Sequence, residues 1–223
     1  MTLKKSDFVE IEYTGRIKGG EIFDTNIKSD AEKINLDVET KPLIICLGQR
    51  MILPALDDFL IGKDIGEYKI SLAPEQAFGK RNKELVKTVP IGVFKNQSQN
   101  PSPGMVFHFD GLIGKITSVS GGRVIIDFNN PLAGKEVEYT LKVKREITDT
   151  NEKIKAFLFY YARKEFNFSF GNGKVTVECS KHEQKALSSL KNKLKEIFSL
   201  ELEFAEPKPR SINKQQEISD NAQ

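Results

Sequence analysis

Residues 9–15, VEIEYTG, and residues 20–25, GEIFDT, decide the fold of this chain. In the first stretch apolar and acidic residues alternate, which is the period of a strand with one buried face. Gly19 and Gly20 lie between the apolar parts of the two stretches, and a glycine pair is a turn signal between strands. We therefore predict a β-hairpin near the start of the chain.

Short apolar runs continue this pattern beyond the hairpin. Residues 43–47 predict a second β segment, and the alternation of residues 68–72 predicts a third. Between residues 51 and 61 the apolar side chains recur at helical spacing, with Asp57 and Asp58 facing away from them. The first third of the chain thus combines strands with one short helix.

Residues 84–130 form a second block with its own pattern. Its alternating apolar runs lie at residues 106–109, 113–119 and 124–128. A glycine pair at 121–122 makes a tight connection between the last two runs, and a polar loop occupies residues 96–104. We predict a small antiparallel β unit with its own strands.

The C-terminal part mixes helical and β patterns. It predicts, in order, a strand over residues 137–143, a helix over 154–161, a hairpin turning at 171–173, a helix from Ser180 to Phe198, and a strand over 200–204. Ser180 and Glu183 have the spacing of a capping box, which marks the start of the second helix. Residues 206–223 contain no aromatic residue and few apolar ones, so we expect a disordered tail.

The composition is that of a globular protein. Of 223 residues, 39% are hydrophobic and 29% are charged. No apolar run approaches the roughly 18–20 residues of a membrane span, and the near balance of 34 basic and 31 acidic residues argues against a nucleic-acid partner. The first 13 residues lack the apolar core of a secretory signal, and Cys46 and Cys179 have no CxxC spacing. We expect a cytoplasmic protein without disulfides.

The sequence offers few groups for covalent or metal chemistry. His108 and His182 have no second ligand at metal-binding spacing, and no phosphate-binding loop, dinucleotide motif or nucleophile elbow is found. We expect neither a metal nor a cofactor. Rotation of an X–Pro bond needs none of these, since its barrier of roughly 18–20 kcal/mol arises from amide resonance. Such a reaction requires a dry apolar cup and donors that hold the twisted carbonyl.

Further short segments join the opening stretches in one recognisable order. They are residues 47–48 (LG), 52–56 (ILPAL), 73–79 (APEQAFG) and 138–143 (EYTLKV). Together they resemble the FK506-binding-protein (FKBP) family of peptidyl-prolyl isomerases, in its strands, pocket-floor helix and Pro-x-x-Ala-Tyr-Gly segment. The resemblance implies an α+β fold in which an antiparallel half-barrel wraps on a short helix.

The block at 84–130 stands where most members of that family have a short flap. Its entry through residues 79–86 and its exit through residues 130–135 resemble the SlyD-like subfamily, whose insert-in-flap domain captures unfolded polypeptide. With the added C-terminal part, the chain is similar to archaeal long-type FKBPs. The resemblance implies an isomerase domain at 1–83 and 131–148, an inserted small β domain at 84–130, a C-terminal α/β sandwich-like domain at 149–205, and the tail at 206–223.

Carried over residue by residue, the resemblance implies a proline pocket. Its catalytic residues would be Tyr13, Asp24, Leu53 and Tyr139, and its substrate-binding residues Phe23, Leu43, Ile52, Leu56 and Phe78. Leu56 stands where many members have Trp, Phe78 replaces the Tyr of the segment at 73–79, and Leu43 stands where an aromatic residue is common. These departures weaken the case for tight macrolide binding more than the case for isomerisation. Without the resemblance, core packing explains most of the apolar residues.

The insert carries more apolar residues than a unit of its size readily buries. We expect an exposed client-binding face that includes Ile91, Phe94, Met105, Phe107 and Phe109. The alternative is that these side chains form the insert's own small core.

The sequence thus predicts a peptidyl-prolyl cis-trans isomerase that accelerates the folding of unfolded or partly folded polypeptides containing proline, while the insert holds the client. The alternative is a holdase or assembly chaperone with a degenerate pocket. Phe159 and Tyr160 lie off the main apolar stripe of their helix. This predicts either packing within the chain or a homodimer formed through the C-terminal domain.

Overall fold

The structure is a computed structural model that describes residues 2–36, 40–94, 100–109 and 111–207. The chain divides into two compact units, Met1–Glu146 and Ile147–Gln223. Residues 208–223 of the tail and residues 96–99 of the polar loop predicted at 96–104 lie outside the described residues. Within the described part of the chain, none of the helices has the length and apolar character of a membrane span.

The described residues contain both strands and helices. The first unit contains β1 (Phe8–Ile17), β2 (Ile22–Thr25), α1 (Lys28–Lys33), β3 (Leu43–Cys46), α2 (Pro54–Leu60), β4 (Gly66–Leu72), β5 (Val86–Pro90), β6 (Val106–Phe109), β7 (Leu112–Ser120), β8 (Arg123–Asp127) and β9 (Val137–Ile147), whose last residue begins the second unit. The second unit continues with α3 (Thr150–Ala162), β10 (Phe168–Gly171), β11 (Lys174–Glu178), α4 (Lys181–Leu187), α5 (Lys191–Phe198) and β12 (Glu201–Ala205). Helices and antiparallel sheets together make this an α+β fold, as predicted.

A five-stranded sheet in the first unit carries five of the nine predicted pocket residues. Its order is β2-β1-β9-β4, and β3 also pairs with β1. The predicted hairpin is confirmed, since β1 and β2 are antiparallel and set Gly15 opposite Asp24. β3 sets Leu43 beside β1, and β9 pairs with β4 along the stretch that contains Tyr139. Residues far apart in sequence therefore lie on neighbouring strands.

The helices of the first unit differ from the prediction. The helix expected over residues 51–61 runs only from Pro54 to Leu60, because proline suits the first helical position and leaves residues 51–53 to the preceding turn. α1 was not predicted from the sequence. Its only buried residue is Ala31, so the segment lacks the apolar periodicity that would reveal it.

The insert forms a four-stranded sheet with the order β5-β8-β7-β6. The three strands predicted from its alternating runs are confirmed, while β5 was not predicted. β5 is an edge strand of this sheet and ends at Pro90, and proline weakens a strand prediction because it cannot donate to the ladder. A 3-10 turn follows at Ile91–Phe94.

The second unit contains a three-stranded sheet with the order β10-β11-β12. The predicted hairpin is present, and Asn172 and Gly173 adopt the positive φ angles, 52° and 76°, that a two-residue turn of this kind requires. β12 runs parallel to β11, which needs a crossover connection, and α4 and α5 occupy it.

The long helix predicted from Ser180 to Phe198 is interrupted. Its capping box is confirmed, with Ser180 and Glu183 each bonded to the other's backbone N–H. A 3-10 turn at Ser188–Leu190 then separates α4 from α5. The hydroxyls of Ser188 and Ser189 donate to carbonyls one turn earlier, at 2.6 and 2.8 Å, and such bonds compete with the helical pattern.

Candidate active site

Four aromatic rings from distant parts of the first unit meet in one cluster. Phe23 on β2 lies edge-on to Phe78, with ring centroids 5.6 Å apart at 85°, and to Tyr139 on β9, at 5.8 Å and 84°. Tyr13 on β1 lies 6.5 Å from Tyr139 at 45°. Edge-to-face rings at these distances attract one another beyond simple burial. The cluster joins four residues that the sequence predicted for one pocket.

Gly15 on β1 allows this close packing. A Cβ atom at position 15 would lie 2.7 Å from Cε1 of Tyr139 and 3.0 Å from Cζ of Phe23. No side chain fits there, so the two rings rest directly on the backbone of β1. In the sequence, Gly15 stands out only as part of the motif at residues 9–15, which does not predict this contact.

A polar edge lies beside the rings. The Tyr13 hydroxyl donates to Oδ1 of Asp24 at 3.4 Å. Burial raises the pKa of the Asp24 carboxyl above its ordinary value, and the hydrogen bond from Tyr13 partly offsets this effect. Burial also raises the pKa of the Tyr139 hydroxyl, with a smaller contribution from the charge of Asp24. Tyr139 therefore keeps its proton at neutral pH and can donate it in a hydrogen bond.

Asn26 fixes the backbone of Tyr13 and was not predicted. The Tyr13 N–H donates to Oδ1 of Asn26 at 2.6 Å, while Nδ2 of Asn26 donates to the Ile11 carbonyl at 2.9 Å. The Thr25 hydroxyl donates to the Tyr13 carbonyl at 2.9 Å. A side-chain amide that both accepts and donates can replace ladder bonds at the end of a hairpin. Its position two residues after Asp24 is the only sequence signal for this role.

The aliphatic site residues lie on β3 and around the start of α2. Leu43 is half-buried on β3, and Ile52 and Leu53 are half-buried in the turn before α2. Leu56 on α2 is 3% exposed. Leu53 occupies the N-cap position, and its carbonyl accepts the backbone N–H of Leu56 at 2.9 Å. These four residues have the burial expected of pocket walls and floor, or equally of core.

The position of the Asp57 side chain differs from the prediction. It was expected on the outer face of the helix with Asp58, and only Asp58 is exposed. The Asp57 side chain is buried, 1% exposed, and accepts the N–H of Gly48 and of Arg50, each at 2.9 Å. A turn that folds back on the helix needs an acceptor for its amides, and apolar periodicity does not reveal that need.

Phe94 of the insert is also a correction. It was expected on an exposed client-binding face but is 3% exposed, in a core with Ile116, Val124 and Ile126. Its ring packs edge-on to Phe107 and Phe109, at 5.3 and 5.5 Å. Phe94 ends the 3-10 turn at Ile91–Phe94, and the alternation of β6 places Phe107 and Phe109 on one inward face. Met105, Phe107 and Phe109 are partly buried against the same core.

Other apolar residues of the insert are exposed. Ile91 is 41% exposed, as expected of a client-binding residue. Further large exposed side chains are Val93, Val106, Leu112 and Ile113. In the register of β6 and β7, Ile113 lies opposite His108 and Leu112 opposite Phe109. The apolar surface of the insert thus consists mainly of aliphatic residues, which the sequence did not separate from its aromatic core.

Within the described residues, no group of three or more His, Cys, Asp and Glu side chains is arranged to hold a metal ion. Cys46 and Cys179 are buried and not joined in a disulfide. The ring cluster and its polar edge together form an apolar surface with hydroxyl groups beside it.

Comparison with known families matches two parts of the first unit. The family described as FKBP-type peptidyl-prolyl cis-trans isomerase matches residues 1–96. The family described as FKBP26, IF domain, matches residues 87–132. The two matches overlap only at the start of the insert.

Comparison with curated proteins gives relatives of the same kind. A short-type peptidyl-prolyl cis-trans isomerase of Methanocaldococcus jannaschii is 30% identical over 146 residues, which are 64% of this chain and 92% of that protein. The FKBP-type peptidyl-prolyl cis-trans isomerase SlyD of Treponema pallidum is 30% identical over 166 residues, 71% of this chain and 86% of that protein. SlyD of Haemophilus influenzae is 29% identical over 159 residues, with 69% and 77% covered.

Proposed function

The chain belongs to the FKBP-type peptidyl-prolyl cis-trans isomerases, and from this premise we propose that it rotates X–Pro bonds in the pocket lined by Tyr13, Phe23, Phe78 and Tyr139. It is a peptidyl-prolyl isomerase whose substrates are polypeptides containing proline. The observation that carries the proposed site is the contact of Phe23 with both Phe78 and Tyr139, since these rings come from three separate segments.

The proposed mechanism is non-covalent. The proline ring enters the aromatic cup. Both the ring and the amide bond that precedes the proline are thereby removed from water. Removing water from this polar planar amide disfavours its charge-separated resonance form, so the rotation barrier falls. Leu43, Ile52 and Leu56 form the walls and floor of this cup in the proposal.

The polar groups stabilise the twisted amide. The N–H of Leu53 binds the carbonyl of the bound segment, and the Tyr139 hydroxyl is a second donor. Asp24, which accepts a hydrogen bond from the Tyr13 hydroxyl at 3.4 Å, forms with Tyr13 the polar edge beside the twisted amide. These four residues are the catalytic residues of the proposal.

We propose the following domains for this activity. An isomerase half-barrel wraps on α2 and comprises residues 1–83 and 131–148, and the insert comprises residues 84–130. A C-terminal α/β domain comprises residues 149–205. The two ends of the insert are tied by Asn82 and Asn129, whose side chain and backbone groups exchange hydrogen bonds at 2.8 and 2.9 Å.

The insert is proposed to hold unfolded clients. The exposed Ile91 and its exposed neighbour Val93 support this role, and Met105, Phe107 and Phe109 contribute through their accessible edges. Clients held there raise the local concentration of prolines at the pocket. Phe94 acts from within the core by supporting this surface.

Two assays test the isomerase proposal. A protease-coupled assay on a short proline peptide reports the pocket alone, and the refolding of a proline-limited protein reports pocket and insert together. We expect acceleration of both at micromolar protein. If the chain accelerates neither reaction, the proposed catalytic site is wrong.

A holdase with a weak pocket is the second candidate function. Leu43, Leu56 and Phe78, which make the pocket less aromatic, favour it. Replacing residues 85–128 by a short glycine linker retains the Asn82–Asn129 tie and separates the two functions. A catalyst keeps its rate on short peptides and loses it on refolding protein, whereas a holdase has no peptide activity and loses its suppression of aggregation.

The second unit is proposed to pair with a second copy of the chain. Phe159 and Phe170 are 46% and 40% exposed, which is high for large aromatic side chains. Sedimentation of the full chain, compared with Phe159→Ser, tests this, and a monomeric wild type excludes it. The buried thiols of Cys46 and Cys179 are compatible with the cytoplasmic location we propose.

A further inference from the structure

A buried carboxylate organises the turn between β3 and α2. Oδ1 of Asp57 accepts the N–H of Gly48 and Oδ2 accepts the N–H of Arg50, each at 2.9 Å. The backbone N–H of Asp57 itself donates to the Leu53 carbonyl at 3.0 Å. One residue therefore binds the turn at its beginning, its middle and its end.

The turn needs this support because its backbone is strained. Arg50 has φ of 56°, a left-handed conformation that a residue with a Cβ adopts only at a cost. Its N–H bond to Asp57 favours that conformation, and its guanidinium donates to the Pro54 carbonyl at 2.9 Å and to Asp58 at 2.8 Å. Gly48, with φ of 80°, has no such cost.

The burial of Asp57 makes the restraint strong. Its side chain is 1% exposed, and hydrogen bonds from N–H groups to a carboxylate are stronger than neutral ones, the more so away from water. An ionised side chain at such a position is uncommon unless its oxygens are well satisfied. The backbone of residues 51–53 follows directly from this restrained turn.

We propose that Asp57 is a positioning residue for X–Pro isomerisation, which sets the Leu53 N–H and the Ile52 side chain at the pocket through the turn at 48–53. This inference rests on the proposed function, since it concerns the same site. Asp57 does not touch the substrate in this proposal. A purely structural role would make Asp57 important for stability alone.

The Asp57→Asn variant tests the proposal, because it keeps the side-chain shape but turns one acceptor into a donor that faces an N–H group. Glu67→Gln is the matched control, since it makes the same change from carboxylate to amide at an exposed residue of β4. NMR line-shape analysis of a short proline peptide separates its affinity from its catalysed exchange rate. For Asp57→Asn at a temperature where it is fully folded, we expect a roughly ten- to hundredfold slower exchange rate with affinity changed less than about twofold.

Replacement of Arg50 by Gly supplies the rescue. Glycine adopts the left-handed conformation without a steric cost, so Arg50→Gly in the Asp57→Asn background should restore a large part of the exchange rate if Asp57 acts through the turn. Rates of the single Arg50→Gly variant provide the baseline. Folded Asp57→Asn with the wild-type rate, or a rate that Arg50→Gly does not raise, would overturn the proposal.

A measurement on the wild type covers the case in which Asp57→Asn does not fold. The amide protons of Gly48 and Arg50 should exchange slowly with solvent, and unprotected amides would refute the restraint itself. The failure of the proposed function looks different from either result. In that case the wild-type protein shows no catalysed exchange, which refutes both the proposed function and the proposed role of Asp57.

Discussion

The ring of Tyr139 lies so close to the backbone of Gly15 that a Cβ atom at position 15 would be 2.7 Å from it. Gly15 lies on β1 and Tyr139 on β9, which are neighbouring strands of one sheet although they are far apart in sequence. The contact places Tyr139 beside Tyr13 and Phe23 at once. Because Gly15 on β1 has no side chain, the Tyr139 ring on β9 can lie at this position with its hydroxyl.

Gly15→Ala should displace the Tyr139 ring. Overpacking of this kind costs typically about 1–3 kcal/mol of the free energy of unfolding, and loss of one positioned donor lowers kcat/KM by about tenfold or more. Peptide assays and thermal unfolding measure the two effects. Gly66→Ala is the control, because its Cβ would meet the Tyr68 hydroxyl at an ordinary 3.6 Å. Equal effects of the two substitutions would contradict the role given to Gly15.

Asp24→Asn should make the protein more stable at neutral pH and less active. Burial raises the pKa of Asp24 in the folded state, so the ionised carboxylate destabilises the fold once the pH is above that pKa. The stability advantage of the variant should therefore shrink as the pH falls through the ordinary range of Asp, near 4. Denaturant unfolding at several pH values, paired with peptide assays, checks this, and a variant less stable than wild type at pH 7 would contradict it.

Local patterns predicted most of the isomerase sheet. Alternating residues predicted β1, β4 and β9, a short apolar run predicted β3, and the glycine pair predicted the first turn, because these features depend only on neighbouring residues. The grouping of Tyr13, Phe23, Phe78 and Tyr139 came from resemblance to a family rather than from periodicity. Ring distances near 6 Å between separate strands require the register of the sheet, which one sequence does not provide.

The sequence did not reveal the roles of Asn26, Asp57 and Gly15, because each role depends on contacts with other segments. Asn26 and Asp57 bind backbone groups of those segments, and Gly15 allows two rings to approach because it has no side chain. Asp57 looked like an exposed helix residue because its partners, the amides of Gly48 and Arg50, are backbone groups. Phe94 looked exposed for a related reason, since it lies in a 3-10 turn, where strand alternation does not apply, and its partners Phe107 and Phe109 are remote in sequence.

The second unit should lose stability in acid through one side chain. Hydrogen bonds from Lys164 and Ser180 lower the pKa of Glu183 to about 2, from an ordinary value of 4.5. Its stabilising contribution is thus complete above pH 4.5 and is lost as the pH falls toward 2. Glu183→Gln should be less stable than wild type at pH 7, and the difference should vanish near pH 2. A constant difference across this range would exclude the ionised capping box as the cause.

A substitution on the surface of the insert should weaken client capture, whereas a substitution in its core should unfold it. Val93→Ser, at a side chain that is 52% exposed, should weaken suppression of aggregation and leave unfolding of the chain nearly unchanged. Phe94→Ala, next to it in sequence, removes a buried ring, which costs typically about 3–5 kcal/mol, and should unfold the insert. Neither change touches the ring cluster around Phe23, so both variants should keep their rate on short proline peptides.

Leu85→Ser is the control for this pair, because Leu85 is also exposed, at 39%, but precedes the insert sheet. Aggregation assays with an unfolded client and calorimetry of each variant give the two measurements. If Leu85→Ser and Val93→Ser weaken capture equally, the surface around Val93 is not a special client site within the insert. If Val93→Ser alone weakens capture, the aliphatic surface beside Phe94 binds the client, because the two substitutions remove exposed apolar side chains of similar size.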